Sequence, residues 1–156
     1  MKSKLVSMMV CLSALWIGFT ACSDKNEKDK DDYAQAIAGT YKGSLQMGGM
    51  PIVPEAQITV ARDDNRHATL KMNETVLGMS VNIECKTDVT STSGQYRIAG
   101  NTTFNMDAGG TSIPVPVVVD GTIDDAGKST ININVEVPGT GEGAGAFAIV
   151  FDGQRQ

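Results

Sequence analysis

Apolar side chains recur at every second position over most of this chain, and that period decides what it can build. Ile58 and Val60 alternate with Gln57, Thr59 and Ala61. Leu77, Met79, Val81, Ile83 and Cys85 share one side, while Gly78, Ser80, Asn82, Glu84 and Lys86 share the other. Ile131, Ile133, Val135 and Val137 alternate in the same way with Thr130, Asn132, Asn134 and Glu136. Successive side chains of a strand point to opposite faces, so each run reads as a strand with one buried and one wet side. That is the habit of antiparallel sheets. No window offers an amphipathic helix of useful length.

Turn residues between the runs divide residues 33–156, enough for one domain with one core, into about eight strands. The expected strands are Gly39–Met47, Ala56–Arg62, His67–Asn73, Leu77–Lys86, Gln95–Asn105, Ile113–Val119, Gly121–Ile123 leading into Ser129–Val137, and Gly145–Asp152. Asp63-Asp64-Asn65-Arg66 and Asp124-Asp125-Ala126-Gly127-Lys128 have the composition of hairpin loops. Met47-Gly48-Gly49-Met50-Pro51-Ile52-Val53-Pro54 and Gly139–Gly145 read as mobile loops between strands. Pro114 and Pro116 lie two apart, so one side of their strand lacks two ladder donors, which marks a sheet edge or an incomplete seam. The expected fold is all-β: a single antiparallel up-and-down barrel of about eight strands, with a two-sheet sandwich as the alternative.

The first residues carry a different signal. Lys2 and Lys4 precede an apolar run from Leu5 to Phe19, which ends at Thr20-Ala21-Cys22 before a densely charged tract. This is the layout of a secretory leader, over residues 1–21. Phe19-Thr20-Ala21-Cys22 resembles the lipobox of bacterial lipoproteins, with Phe in place of the usual aliphatic residue. The resemblance implies lipidation of Cys22 and cleavage before it, with covalent lipid as the only attached group. Several acyl chains make such an attachment stable where one does not. Ser23 after the cysteine implies, by the same resemblance, sorting to the outer membrane. Residues 22–32, charged from Asp24 onward, cannot bury apolar surface and are expected to form a flexible tether. An acidic tract here resembles a surface-display signal; a solvated spacer is the other reading.

Cleavage would remove Lys2 and Lys4 from the 13 basic residues, leaving 11 against 18 acidic ones, a net charge of −7. Nucleic acid is an unsuitable partner for such a chain, because phosphate binding needs a basic patch. Electrostatic adhesion to anionic lipid needs clustered Lys or Arg and is equally disfavoured. The expected partners are the membrane, through the anchor, and either a small apolar ligand or another envelope protein. Of three cysteines, Cys11 leaves with the leader and Cys22 is acylated, so Cys85 has no disulfide partner.

Ile37-Ala38-Gly39-Thr40-Tyr41-Lys42-Gly43 resembles the opening strand of calycin-like, lipocalin-like β-barrel lipoproteins of Gram-negative bacteria. Lipocalins open with Gly-x-Trp, and Gly39-Thr40-Tyr41 has Tyr in the place of Trp. In those barrels a basic residue after the last strand packs over the aromatic, which implies a barrel-closing pair of Tyr41 and Arg155. The resemblance also implies an internal cavity at an open end. Its candidate lining is Tyr41, Leu45, Met47, Leu70, Met72, Met79, Val81, Phe104 and Met106. Methionine suits pockets that accept variable apolar ligands, but the same side chains can fill an eight-stranded barrel solid.

Nothing in the sequence assembles a catalytic or metal site. His67 is the single histidine and flanks a turn, and Cys85 ends an apolar face with no basic partner in view. The acidic pairs Asp63-Asp64 and Asp124-Asp125 sit in turn sequences and lack Ca²⁺-loop spacing. The glycines of Gly139–Gly145 precede a strand, not the helix that a phosphate cradle requires. The chain reads as a binding or interaction protein and not as an enzyme.

Overall fold

The computed structural model describes residues 32–108, 110–139 and 145–156. The leader, Cys22 and the tether up to residue 31 lie outside the described residues, as does most of the Gly139–Gly145 segment. After a short helix, α1 (Tyr33–Ile37), come eight strands: β1 (Gly39–Met47), β2 (Met50–Arg62), β3 (His67–Val76), β4 (Met79–Thr92), β5 (Gln95–Ala108), β6 (Thr111–Asp124), β7 (Lys128–Val137) and β8 (Gly145–Arg155). Each strand pairs antiparallel with the next, and β8 closes on β1, giving an up-and-down barrel. Fold class and strand number are those expected from the alternation.

The inner face carries the core, with Tyr41, Leu45, Ile58, Leu70, Ile83, Ile98, Ile131, Ile133 and Phe151 fully buried. Outward positions such as Lys42, Lys71, Asn73, Glu84, Lys86 and Asp88 are exposed. A barrel that crosses a membrane presents an apolar band outward and a polar lumen inward. Here the two faces are reversed, so the wall is built to meet water.

Several boundaries differ from the sequence reading. Residues 50–54 are strand, not loop, because Gly48 and Gly49, both at positive φ, reverse the chain in two residues and let Met47 pair with Met50. Leu77 does not share the inner face of β4. It occupies the turn with Gly78 at φ 52° and is exposed, while β3 runs on to Val76 and β4 to Thr92, further than expected. Gly121–Ile123 continues β6 and does not start a new strand. A Cβ on Gly121 would lie 2.6 Å from the Thr130 carbonyl oxygen, so glycine here permits close strand approach, not a turn. The unexpected helix α1 is only five residues long and is held by tertiary contacts.

The two ends of the barrel are built differently. The β2–β3 ladder runs from Ile58↔Met72 to Arg62↔Ala68, and the β4–β5 ladder from Thr87↔Gly100 to Thr92↔Gln95. The β6–β7 ladder starts at Val117↔Val135. Beyond these points the β3–β4 and β5–β6 hairpins continue alone. Three seams therefore open towards one end, the rim. Pro114 and Pro116 lie on the part of β6 that pairs with β5 and precedes the β7 ladder, where a missing donor costs nothing. Side chains bridge two seams in place of backbone: Glu74 Oε1 accepts from Gln57 N at 2.7 Å, and Thr102 Oγ1 donates to the Glu84 carbonyl at 2.9 Å.

Candidate ligand pocket

The opposite end, the base, is stoppered by α1. Ala34 and Ile37 are buried, and Ala34 N donates to the Asn65 carbonyl at 3.2 Å. Asp32, read from sequence as the last tether residue, caps the helix by accepting from Gln35 N and also pairs with Arg62 at 2.9 Å. Tyr33 packs under the Arg66 guanidinium, 5.3 Å from the ring centre, and against the Tyr96 ring at 6.3 Å. Tyr41 and Arg155 are register partners across β1 and β8. Both tie down the end of α1: Tyr41 Oη donates to the Ile37 carbonyl at 2.6 Å and Arg155 Nη1 to that of Ala36 at 2.5 Å. Burial pushes the Tyr41 phenol above its ordinary pKa, with the Arg155 guanidinium opposing that rise.

Above this base lies a cavity of about 370 Å³. Met47 lines it from β1, Val76 from β3, and Leu77 from the following turn. Met79, Ser80, Val81 and Ile83 line it from β4, Phe104 and Met106 from β5, Val135 and Val137 from β7, and Phe147 and Ile149 from β8. Every one of these belongs to the rim half, where the ladders have separated. The pocket exists because strands that fan apart cannot fill the space between them. Among the described residues, Ser80 brings the single hydrogen-bonding side chain and no ionisable group lines the cavity. Such a space offers water few partners and suits hydrocarbon. Its volume falls within the roughly 300–1,000 Å³ of small-molecule sites.

Of the residues expected to line a cavity, Met47, Met79, Val81, Phe104 and Met106 are brought together there. Tyr41, Leu45, Leu70 and Met72 are not. They are packed solid below the cavity, at 0 or 1 % exposure. The expected lining did not tell the filled level from the open one. The alternation also put Ile83, Val135 and Val137 on apolar faces, while Phe147 and Ile149 were not singled out. Val76 lay beyond the expected end of its strand, and Leu77, expected on the inner face of β4, lines the cavity from the turn before it.

The remaining candidates are accounted for locally. His67 is exposed, with Nδ1 2.7 Å from Asp64 and Nε2 3.2 Å from Asp88. The Asp64 hydrogen bond and charge raise the His67 pKa, with Asp88 adding to the rise. Asp63 accepts from Thr69 Oγ1 at 2.7 Å, and Asp124 from Lys128 N at 2.8 Å. Both acidic pairs thus include a residue that stabilises its own turn. Cys85 is fully buried, and burial pushes its thiol pKa up, away from the thiolate that reacts. Among the described residues no group of three or more His, Cys, Asp or Glu side chains could hold a metal ion. A second hollow on the outer wall, bordered by Lys42, Ser44, Glu55, Gln57 and Asp152, is a wet, open groove.

The barrel is similar to the crystal structure of a protein from Bacteroides fragilis described as a "putative outer membrane protein", with a TM-score of 0.55 and 15% identity. The likeness covers 80% of this chain and 53% of that one, so the chain spans about half the length of that protein. At this identity the likeness shows the fold alone. No protein-family model and no curated protein sequence matches the chain.

Proposed function

We propose that this chain is a calycin-like envelope lipoprotein, anchored in the outer membrane through lipid on Cys22, whose barrel takes a small apolar or amphipathic ligand at its rim. The apolar cavity between the separated strands carries the ligand reading. The charged leader start, apolar run and Phe19-Thr20-Ala21-Cys22 support the anchor. The description of the Bacteroides fragilis protein supports an envelope location. Binding, not catalysis, is favoured because the single His is committed to two carboxylates and the Cys85 thiol is buried and has its pKa raised. No cofactor beyond the covalent lipid is part of this reading.

Titration of the chain from Ser23 onward with an environment-sensitive apolar dye tests the pocket. Saturable uptake at one site is expected, and a flat titration overturns the reading. Cys22→Ala is expected to release the protein from membranes into the soluble fraction, and retention in the membrane would remove the lipid anchor. Protease treatment of whole cells separates surface display from a periplasmic orientation. A second reading, a protein-interaction module or inhibitor, has the unpaired edges of β4 and β5 at the seam in its favour. Specific crosslinking on cells to another envelope protein, together with failure of dye uptake, would favour it.

A further inference from the structure

Exposed large apolar side chains are not scattered over this barrel. Met50 is 70% exposed, Leu77 67% and Met79 46%, and all three sit at the tips of the β1–β2 and β3–β4 hairpins beside the cavity. The fourth, Val118, stands apart on the wall of β6. The two tips that carry the other three are uncharged. Residues 47–53 and 75–80 contain no Asp, Glu, Lys, Arg or His. At the tip of β5–β6 the described charge is Asp107, whose carboxylate accepts from Gly110 N within its own turn. The base turns, by contrast, hold Asp63, Asp64, Arg66, His67, Asp124, Asp125 and Lys128.

We propose that the rim is a docking surface for a lipid bilayer, on which Met50, Leu77 and Met79 enter the acyl region so that a hydrocarbon chain reaches the cavity without crossing water. The proposal rests on reading the cavity as a hydrocarbon pocket and names the source of its ligand. A bilayer fits these tips better than a protein does. The turn residues Gly48-Gly49 and Leu77-Gly78 bring no hydrogen-bonding side chain with which to specify a partner. Three side chains on two hairpins also fall short of the roughly 800 Å² per partner that a stable protein contact buries. A bilayer needs no shape complementarity, and its interface takes up apolar side chains singly. Leu77 and Met79 line the cavity as well as standing exposed, so the rim and the pocket are continuous. The lack of basic residues at these tips points to zwitterionic lipid, not to electrostatic capture by anionic headgroups.

The chain from Ser23 onward lacks tryptophan, since the single Trp, Trp16, belongs to the leader segment. Met50→Trp therefore places one reporter on the rim and Val118→Trp one on the wall. With phosphatidylcholine vesicles the Met50→Trp emission is expected to shift to the blue and to be quenched by brominated acyl chains, with no change for Val118→Trp. Met50→Glu is expected to reduce co-flotation with the same vesicles by about tenfold or more, because it replaces a side chain that favours the acyl region with a charged one. Met50 does not line the cavity, so dye uptake in solution by this variant should match the parent. A parent that takes up dye but does not float overturns the docking surface and leaves the pocket reading intact. Flotation without dye uptake upholds the surface and removes the pocket. A concentration-dependent dimer that Met50→Glu disperses, without flotation, would make the rim a contact between copies and overturn the proposal.

Discussion

The two ends of this barrel share strands but not construction, and the contrast shows how one alternating pattern yields both a plug and a pocket. At the base every ladder is present, β1 closes on β8, and α1 is held by Tyr41, Arg155 and Asn65. At the rim three ladders stop early and the hairpins splay. The inner face is apolar at both levels, so the difference comes from strand spacing and not from residue type. Glycine contributes at the junction. A Cβ on Gly100 would lie 2.2 Å from the Lys86 carbonyl oxygen, and Gly100 pairs with Thr87 at the last rung before the β4–β5 seam. The backbones come into close contact there and separate above it.

If the filled level carries the stability, truncation there should cost far more than truncation at the rim. Phe151→Ala, in the fully buried core, is expected to lower unfolding free energy by about 3–5 kcal/mol in urea denaturation. Phe104→Ala, on the cavity wall and only partly buried, should cost clearly less, because its surroundings are already open. Equal losses would mean that both levels are packed alike. Tyr41→Phe keeps the ring and removes the donor to Ile37. A loss of about 1–2 kcal/mol is expected, with faster amide exchange in α1 but not at the hairpin tips. Exchange that rises equally at both ends would show that the base does not open as its own unit.

The rim can be challenged in the reverse sense. Met106→Trp adds volume to the cavity wall, and dye affinity is expected to fall by about tenfold, or 1.4 kcal/mol, with little change in stability. Unchanged affinity would place the dye elsewhere.

The smallest effect should come from pH at the base. The pKa of His67 is raised by its carboxylate partners, so the stabilisation it gives is complete below the imidazole's unfolded value and fades as pH rises through the folded one. The Asp64 pKa is lowered, chiefly by its bond from Arg66 N and then by His67, so its share is present above the ordinary carboxylate range and fades as pH falls through the lowered value. The β2–β3 turn should therefore be tightest between those two limits, as amide exchange over Asp63–His67 would show. Both side chains are exposed, so the change should remain local. A global stability change tracking His67 would contradict this.

Period-two alternation, with turn residues between the runs, was enough to read an eight-stranded antiparallel barrel, because inward and outward positions are written residue by residue along each strand. The same pattern put Met79 and Val81 on one apolar face, and the prolines identified a local edge on β6. Height along the barrel was not legible. Tyr41, Leu45, Leu70 and Met72 look the same in sequence as the residues that line the cavity, yet they are packed solid. Whether an inward side chain meets a neighbour or a void depends on how far the strands around it have diverged. That divergence is set by where non-local ladders end, by close approaches such as Gly100 on Lys86, and by a five-residue helix too short to announce itself. Local chemistry determined which side of the wall each residue occupies; only the closing of distant strands on one another decided which end is filled and which is hollow.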